Sequence, residues 1–205
     1  MQVAVVGGTG PFGKALALRL REAEIEVVVG SRDADRAAAI AAELGVAGAT
    51  NADAVIGVDL VVLAVNAEAA VDTARTLRKS IGRTPVLSVA SDLRFTPDGV
   101  VLAVDRVSLA ERIQKALDGP VVAGLHSLAA SNLAAAPPDE DALVCGDDPE
   151  AKALVLELAS RIVSGRALDA GSLASARALE NLTALIINLN KRYRAHAGIR
   201  VTGIS

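Results

Sequence analysis

The stretch Gln2 to Gly13, QVAVVGGTGPFG, constrains this chain more than any other. Val3, Ala4, Val5 and Val6 form an unbroken apolar run, the pattern of a strand buried on both faces of a parallel sheet. Gly8-x-Gly10-x-x-Gly13 follows at once, with the spacing of a dinucleotide-binding turn. The first glycine permits the sharp exit from the strand. The second removes a Cβ where a pyrophosphate must approach the backbone, and the third lets the next helix pack closely on the strand. A pyrophosphate then meets the free N–H groups and positive dipole end of that helix. Leu16, Leu20 and Ala23 continue at helical spacing, and Pro11 suits a first helical turn, where its missing N–H costs little. The turn supplies six candidate cofactor contacts: Gly8, Thr9, Gly10, Pro11, Phe12 and Gly13.

The end of the second apolar run, Glu26 to Gly30, decides which dinucleotide fits. An NAD site places an Asp or Glu there to accept hydrogen bonds from the ribose 2′-OH. This chain places Ser31 and Arg32. A carboxylate repels a 2′-phosphate, whereas a hydroxyl and a forked guanidinium bind it. Arg36 lies one helical turn further on and points to the same phosphate. Asp33 is read as the cap of a helix over 35–44, with Gly45 as its stop. These residues favour NADP(H) over NAD(H). Read without a ligand, Ser31-Arg32 is an ordinary polar turn at a helix start.

The rest of the chain alternates short apolar runs with helical patterns. Strands are expected over 46–50, 59–65, 84–90, 121–125, 142–146 and 167–171. Helices are expected over 51–56, 67–79, 108–117, 149–162 and 172–193. Ser108 and Glu111 form a capping box. Residues 93–104 and 132–138 read as loops, and the tail 196–205 carries no helical pattern. This alternation predicts a Rossmann-type α/β fold, a doubly wound and mostly parallel sheet with a small C-terminal helical lobe. Residues 1–124 are read as the nucleotide-binding domain. Residues 125–205 are read as a smaller part that completes the substrate site and forms a dimer interface. Ligands in such sheets lie at the carboxyl ends of the strands. Val65, Asn66 and Ala67 are therefore candidates for the nicotinamide half of the cofactor, and Ser88, Ala90, His126 and Ser127 for the second substrate. Asn66 reads equally as a helix cap, and Asp147-Asp148 reads as helix capping ahead of a metal pair.

Several classes are excluded by composition. Net charge is −3 with no basic run, which argues against nucleic acid. One cysteine, Cys145, forbids an internal disulfide and a multi-cysteine metal site; no metal is expected. No apolar run is long enough to span a membrane. With a strand opening at residue 2, no signal peptide is expected, and the protein is read as cytoplasmic. Aromatic residues make up 1% of the chain, so the core is built of Ala, Val, Leu and Ile. No nucleophile elbow or zinc-protease motif occurs. His126 and His196 are the only neutral-pH acid–base candidates, and His126 is the better placed; it reads equally as a hydrogen-bonded pocket wall. Hydride transfer needs no side-chain acid, because the cofactor carries the chemistry.

Five blocks, in order, carry a resemblance: VVGGTGPFGKALALRL, VVVGSRDADRA, GLHSLAA, VCGDDPEAK and LDAGSLASARALENLTALIINLN. The chain resembles the NADPH-dependent reductases of coenzyme F-420 (F420 below), also called F420:NADP oxidoreductases. The resemblance implies reversible hydride exchange between NADP(H) and C5 of a deazaflavin, in a homodimer with no dedicated catalytic acid. It also implies that Thr9, Ser31, Arg32 and Arg36 hold the 2′-phosphate and ribose. The chain departs from the archaeal pattern at Val65-Asn66-Ala67 and at Ser88–Asp92. Lys191, Arg192, Arg194 and Arg200 are read as partners for the coenzyme's acidic tail or as favourable charge at a helix C-terminus. The alternatives are an NADPH-dependent reductase of an imine or flavin, and an NADP(H)-binding protein without turnover.

Overall fold

The computed structural model describes residues 1–103 and 107–204. The chain opens with β1 (Gln2–Val6), α1 (Pro11–Glu22), β2 (Glu26–Ser31), α2 (Ala34–Leu44) and β3 (Ala47–Thr50). It continues with α3 (Asn51–Ala54), β4 (Leu60–Leu63), α4 (Ala67–Ile81) and β5 (Val86–Ser88). A hairpin of β6 (Leu93–Thr96) and β7 (Gly99–Leu102) precedes α5 (Leu109–Gln114) and β8 (Val121–Gly124). Then come α6 (Ala130–Ala135), β9 (Ala142–Gly146), α7 (Pro149–Ile162), β10 (Ala167–Asp169) and α8 (Ala176–Tyr193).

Eight strands form one sheet in the order β10-β9-β8-β5-β4-β1-β2-β3. The six strands from β3 to β8 run parallel; β9 is antiparallel to β8, and β10 parallel to β9. The order reverses between β1 and β4, which sets a ligand crevice at their carboxyl ends. Register holds those ends level: Val6 pairs with Gly30 on one side and Leu63 on the other.

Strand side chains alternate between the two faces of the sheet. Val3 and Val5 join a core with Leu16 and Leu20 of α1, Leu133 of α6 and Leu158 of α7. Ala4 and Val6 join a second core on the opposite face, with Ala70 and Ala74 of α4, Leu109 and Ile113 of α5, and Leu179 of α8. The predicted doubly wound sheet is therefore present, and with few aromatics its helices approach on Ala and Leu. Residues 125–205 add β9 and β10 to the same sheet and lay α8 over the second core.

Two expected loops are ordered structure instead. Within 93–104 the chain forms the β6–β7 hairpin around Pro97-Asp98-Gly99, with Gly99 at φ +139°; Val104 lies outside the described residues. The hairpin is held from outside. Asn188 of α8 accepts from the Val100 N–H at 2.8 Å and donates to the Val100 carbonyl at 2.8 Å. Within 132–138, residues up to Ala135 belong to α6, whose Leu133 carbonyl accepts from Nε and Nη2 of the buried Arg19 at 2.9 and 2.7 Å. The helix expected from residue 172 begins with a 3-10 turn, Leu173–Ser175.

The tail is irregular, as expected, and anchored. Arg166 pairs with the buried Asp141, which also accepts the Val201 N–H at 2.8 Å. That pairing and those hydrogen bonds hold the Asp141 carboxyl well below the usual carboxylate range.

Candidate nucleotide and acceptor site

The glycine turn lies at the crevice, and its geometry explains its sequence. Gly7 takes φ +78°, a conformation that strains other residues. A Cβ on Gly8 would sit 2.8 Å from the Val5 carbonyl oxygen, and one on Gly13 2.6 Å from the Gly7 carbonyl oxygen. Gly10 differs: a Cβ there would meet only the Gly7 carbonyl oxygen, at 3.4 Å. Three crowded glycines thus shape the turn, and the fourth leaves an open approach. Among the described residues, no side chain caps the N-terminus of α1 and no acid lies in its first turn, so its N–H groups and dipole are left to an anionic ligand. This cradle fits a dinucleotide pyrophosphate.

At the end of β2, the buried Ser31 Oγ accepts from the Asp33 N–H at 3.2 Å. Asp33 caps α2, accepting from the Arg36 N–H at 3.1 Å, so its carboxylate is engaged away from a ligand. Arg32 is exposed. Arg36 reaches back across the crevice to donate to the Thr9 carbonyl at 3.4 Å. Thr9, Ser31 and Arg36 are thereby brought to one corner beside Arg32, the cationic arrangement that suits a 2′-phosphate.

From α1 toward β5 runs a slot of about 140 Å³, lined by Gly10, Pro11, Phe12, Ala64, Val65, Asn66, Val89 and Ala90. Asn66 sits at the N-cap of α4, but its side chain makes no capping bond, so its amide is available to a ligand. Ala67 packs on the core beneath and does not line the slot. Ala64 and Val89, absent from the sequence-based candidates, do line it; being strand-end neighbours of Val65 and Ala90 was their only signal.

Ser88, His126 and Ser127 are buried and do not line the slot. Among the described residues, the Ser88 and Ser127 hydroxyls have no hydrogen-bond partner, and neither ring nitrogen of His126 makes a bond of normal geometry. Burial lowers the His126 pKa to about 4, offset only in part by the Ala90 backbone. The imidazole is therefore neutral at neutral pH. Leu125, just before it, holds φ +64°, rare for a leucine. Thr183 of α8 donates to the His126 carbonyl at 2.9 Å and lies 2.8 Å from the Ser91 hydroxyl, tying α8 to the ends of β5 and β8.

Other candidates have structural duties. Asp148 caps α7, accepting from the Ala151 N–H at 2.8 Å, and Asp147 accepts from the Leu173 N–H at 2.9 Å. Arg200 pairs with Asp139. Burial and the Asp147 carboxylate push the Cys145 thiol up to about 12, which leaves it inert. A larger groove of about 540 Å³ lies away from the strand ends, between the hairpin and α8, lined by Asp98, Gly99, Leu185, Asn188, Leu189, Lys191 and Arg192.

Comparisons with known proteins agree with this geometry. Residues 2–92 match the family model described as NADP oxidoreductase, coenzyme F420-dependent. The F420-dependent NADP reductase of Methanothermobacter thermautotrophicus is 36% identical, covering 100% of this chain and 96% of that protein. The Methanocaldococcus jannaschii protein of the same name is 33% identical, covering 100% and 99%. A crystal structure from Arthrobacter sp. FB24, provisionally named an F420-dependent NADP reductase, superposes with a TM-score of 0.86 at 26% identity, over 99% of this chain and 100% of that one.

Proposed function

Since the chain belongs to the coenzyme F420-dependent NADP oxidoreductase family, we propose how its own residues divide the work. The protein is an oxidoreductase that transfers hydride between NADP(H) and coenzyme F420. Two electrons and one hydrogen move together between the two rings, and solvent supplies or takes the balancing proton.

Under this reading Gly8 and Gly13 shape the turn. Gly10, Pro11 and Phe12 admit the pyrophosphate, and α1 stabilises its charge through free N–H groups. Thr9, Ser31, Arg32 and Arg36 hold the 2′-phosphate. Val65 and Asn66 border the nicotinamide, which takes the slot, and Ala67 packs on the core beneath them. Ala90 lines the acceptor end, while Ser88, His126 and Ser127 supply uncharged hydrogen-bonding groups behind it. His126 does not serve as the acid, because its imidazole is buried and neutral at working pH. Catalysis rests on holding two flat rings together, with no side chain assigned to proton transfer. The observation that carries this is the cationic corner of Ser31, Arg32 and Arg36, where the Asp33 carboxylate is engaged as the α2 cap, beside an uncapped helix end.

The same proposal makes the protein a cytoplasmic homodimer, with residues 125–205 completing the acceptor site. The groove between the hairpin and α8 supports the dimer: Leu185, which lines it, is 53% exposed. Asp98 on one side and Lys191 and Arg192 on the other would meet their opposites across a two-fold axis. Leu185→Asp should yield a monomer by light scattering; an unchanged mass would remove this surface from the proposal. The activity itself is tested by mixing purified protein, NADPH and F420 and following the deazaflavin absorbance. Bleaching is expected. No bleaching across acid to alkaline pH, with turnover of an imine or free flavin instead, would replace F420 as the acceptor.

A further inference from the structure

We infer that Thr183 is a positioning residue for hydride transfer: its one hydroxyl ties α8 to the ends of β5 and β8 and so fixes the spacing of the acceptor wall. This rests on the reading of the acceptor end given above. Thr183 is half-buried and reaches partners far along the chain. Its Oγ1 donates to the His126 carbonyl at 2.9 Å, 57 positions away, and lies 2.8 Å from the Ser91 hydroxyl, 92 positions away. A hydroxyl carries a single hydrogen. Since that hydrogen goes to His126, Ser91 donates to Thr183, and the bonds run one way, from Ser91 through Thr183 to the His126 carbonyl. Each bond in such a chain polarises and strengthens the next.

Both anchored points bear on the acceptor end. Ser91 follows Ala90, which lines the slot, and the His126 ring lies against the Ala90 backbone. The backbone that carries His126 is strained. Leu125 holds φ +64°, where a leucine stays only if its surroundings fix it. Leu125 N–H donates to the Leu143 carbonyl at 3.3 Å, Leu128 N–H donates to the Leu125 carbonyl at 3.1 Å, and Thr183 holds the His126 carbonyl. The first two bonds are made by backbone. The third is made by a side chain, and one substitution removes it. Hydride transfer depends on close approach of the two reacting carbons, and a misplacement of about 1 Å slows such a step by up to about a hundredfold.

The test is single-turnover kinetics. Protein in excess, saturated with NADPH, is mixed with F420, and the deazaflavin absorbance is followed. A smaller folded fraction then leaves the saturating rate constant unchanged, whereas a displaced acceptor lowers it. Thr183→Val keeps the side chain's shape and removes both bonds; its rate constant should fall about tenfold, with NADPH affinity nearly unchanged by calorimetry. Thr183→Ser keeps the hydroxyl and should restore the wild-type rate constant. Ser91→Ala breaks one bond and spares the other, so its rate constant should lie between; it serves if Thr183→Val does not fold. A wild-type rate constant in Thr183→Val, or a loss that Thr183→Ser does not recover, would overturn the inference. So would an equal loss of NADPH affinity, which would make Thr183 a general prop of the fold. A wild type that bleached no F420 would overturn the acceptor assignment and this inference with it; a wild type that bleached it no faster than Thr183→Val would overturn the inference alone.

Discussion

The two ends of this molecule hold together by different means. The nucleotide corner is built from short-range backbone constraints: Gly8 N–H donates to the Val5 carbonyl at 3.0 Å and Gly10 N–H to the Gly7 carbonyl at 3.0 Å. The region around the hairpin, α6, α8 and the tail is built from single side chains that reach across the chain. Asn188 holds Val100 from 88 positions away, Arg19 holds Leu133 from 114, and Asp141 holds Val201 from 60. The first design tolerates almost no change in backbone and specifies one ligand class. The second leaves this side adjustable one residue at a time.

The sharpest test of that contrast lies within the glycine turn. Gly13→Ala forces a Cβ to 2.6 Å from the Gly7 carbonyl oxygen. It should cost about 2–4 kcal/mol in urea unfolding and abolish NADPH binding. Gly10→Ala meets nothing closer than 3.4 Å at φ −80°, which alanine adopts freely. Its stability should change by no more than about 0.5 kcal/mol, while NADPH affinity falls because the approach is narrowed. If both variants lost stability alike, the distinction between a crowded frame and an open approach would break.

At the acceptor end, the corresponding test is the pH dependence of stability. His126 is held near pKa 4 in the folded protein, against about 6.5 when unfolded. The unfolded chain therefore binds the proton first as pH drops, and this group's contribution is lost between about pH 6.5 and pH 4. The loss is of order 3 kcal/mol. Glu140 and Glu180, whose carboxyls burial pushes up, act in the opposite sense. The measurement is therefore a difference: His126→Asn should flatten the acid side of the stability profile relative to wild type. An unchanged profile would mean that the ring is not buried neutral.

Arg32→Ala should weaken NADPH by about 1.5–3 kcal/mol and NADH hardly at all. Equal losses would show that Arg32 is not a phosphate ligand. This corner was legible in the sequence because its logic is local: a strand, a glycine spacing, and a hydroxyl and guanidinium in place of a carboxylate. All eight sheet strands were legible for the same reason, as short apolar runs between helical patterns. The hairpin was not. LRFT and GVVL are four-residue strands with little alternation, and the pair is anchored by Asn188, which no local window contains. Residues 132–138 read as a loop until the Arg19 guanidinium is seen on the Leu133 carbonyl. His126 was found by its place at a strand end, but its depressed pKa depends on burial by elements that the sequence does not place beside it.

The smallest expected effect tests the long-range design most directly. Asn188→Ala removes both bonds to Val100 and leaves the sheet and the nucleotide corner untouched. Two such bonds contribute about 1–3 kcal/mol together, and an isolated two-stranded hairpin is marginal in water. Local opening of residues 93–102 should therefore become easier, seen as faster amide exchange there, with global unfolding nearly unchanged. Gly99 belongs to the same contact, because a Cβ on it would lie 2.7 Å from the Asn188 side-chain oxygen. Gly99→Ala should loosen the hairpin by pushing that amide away. If exchange rose equally in β1 and α1, the hairpin would be part of one cooperative unit with the nucleotide corner, and the two ends would share a single stability.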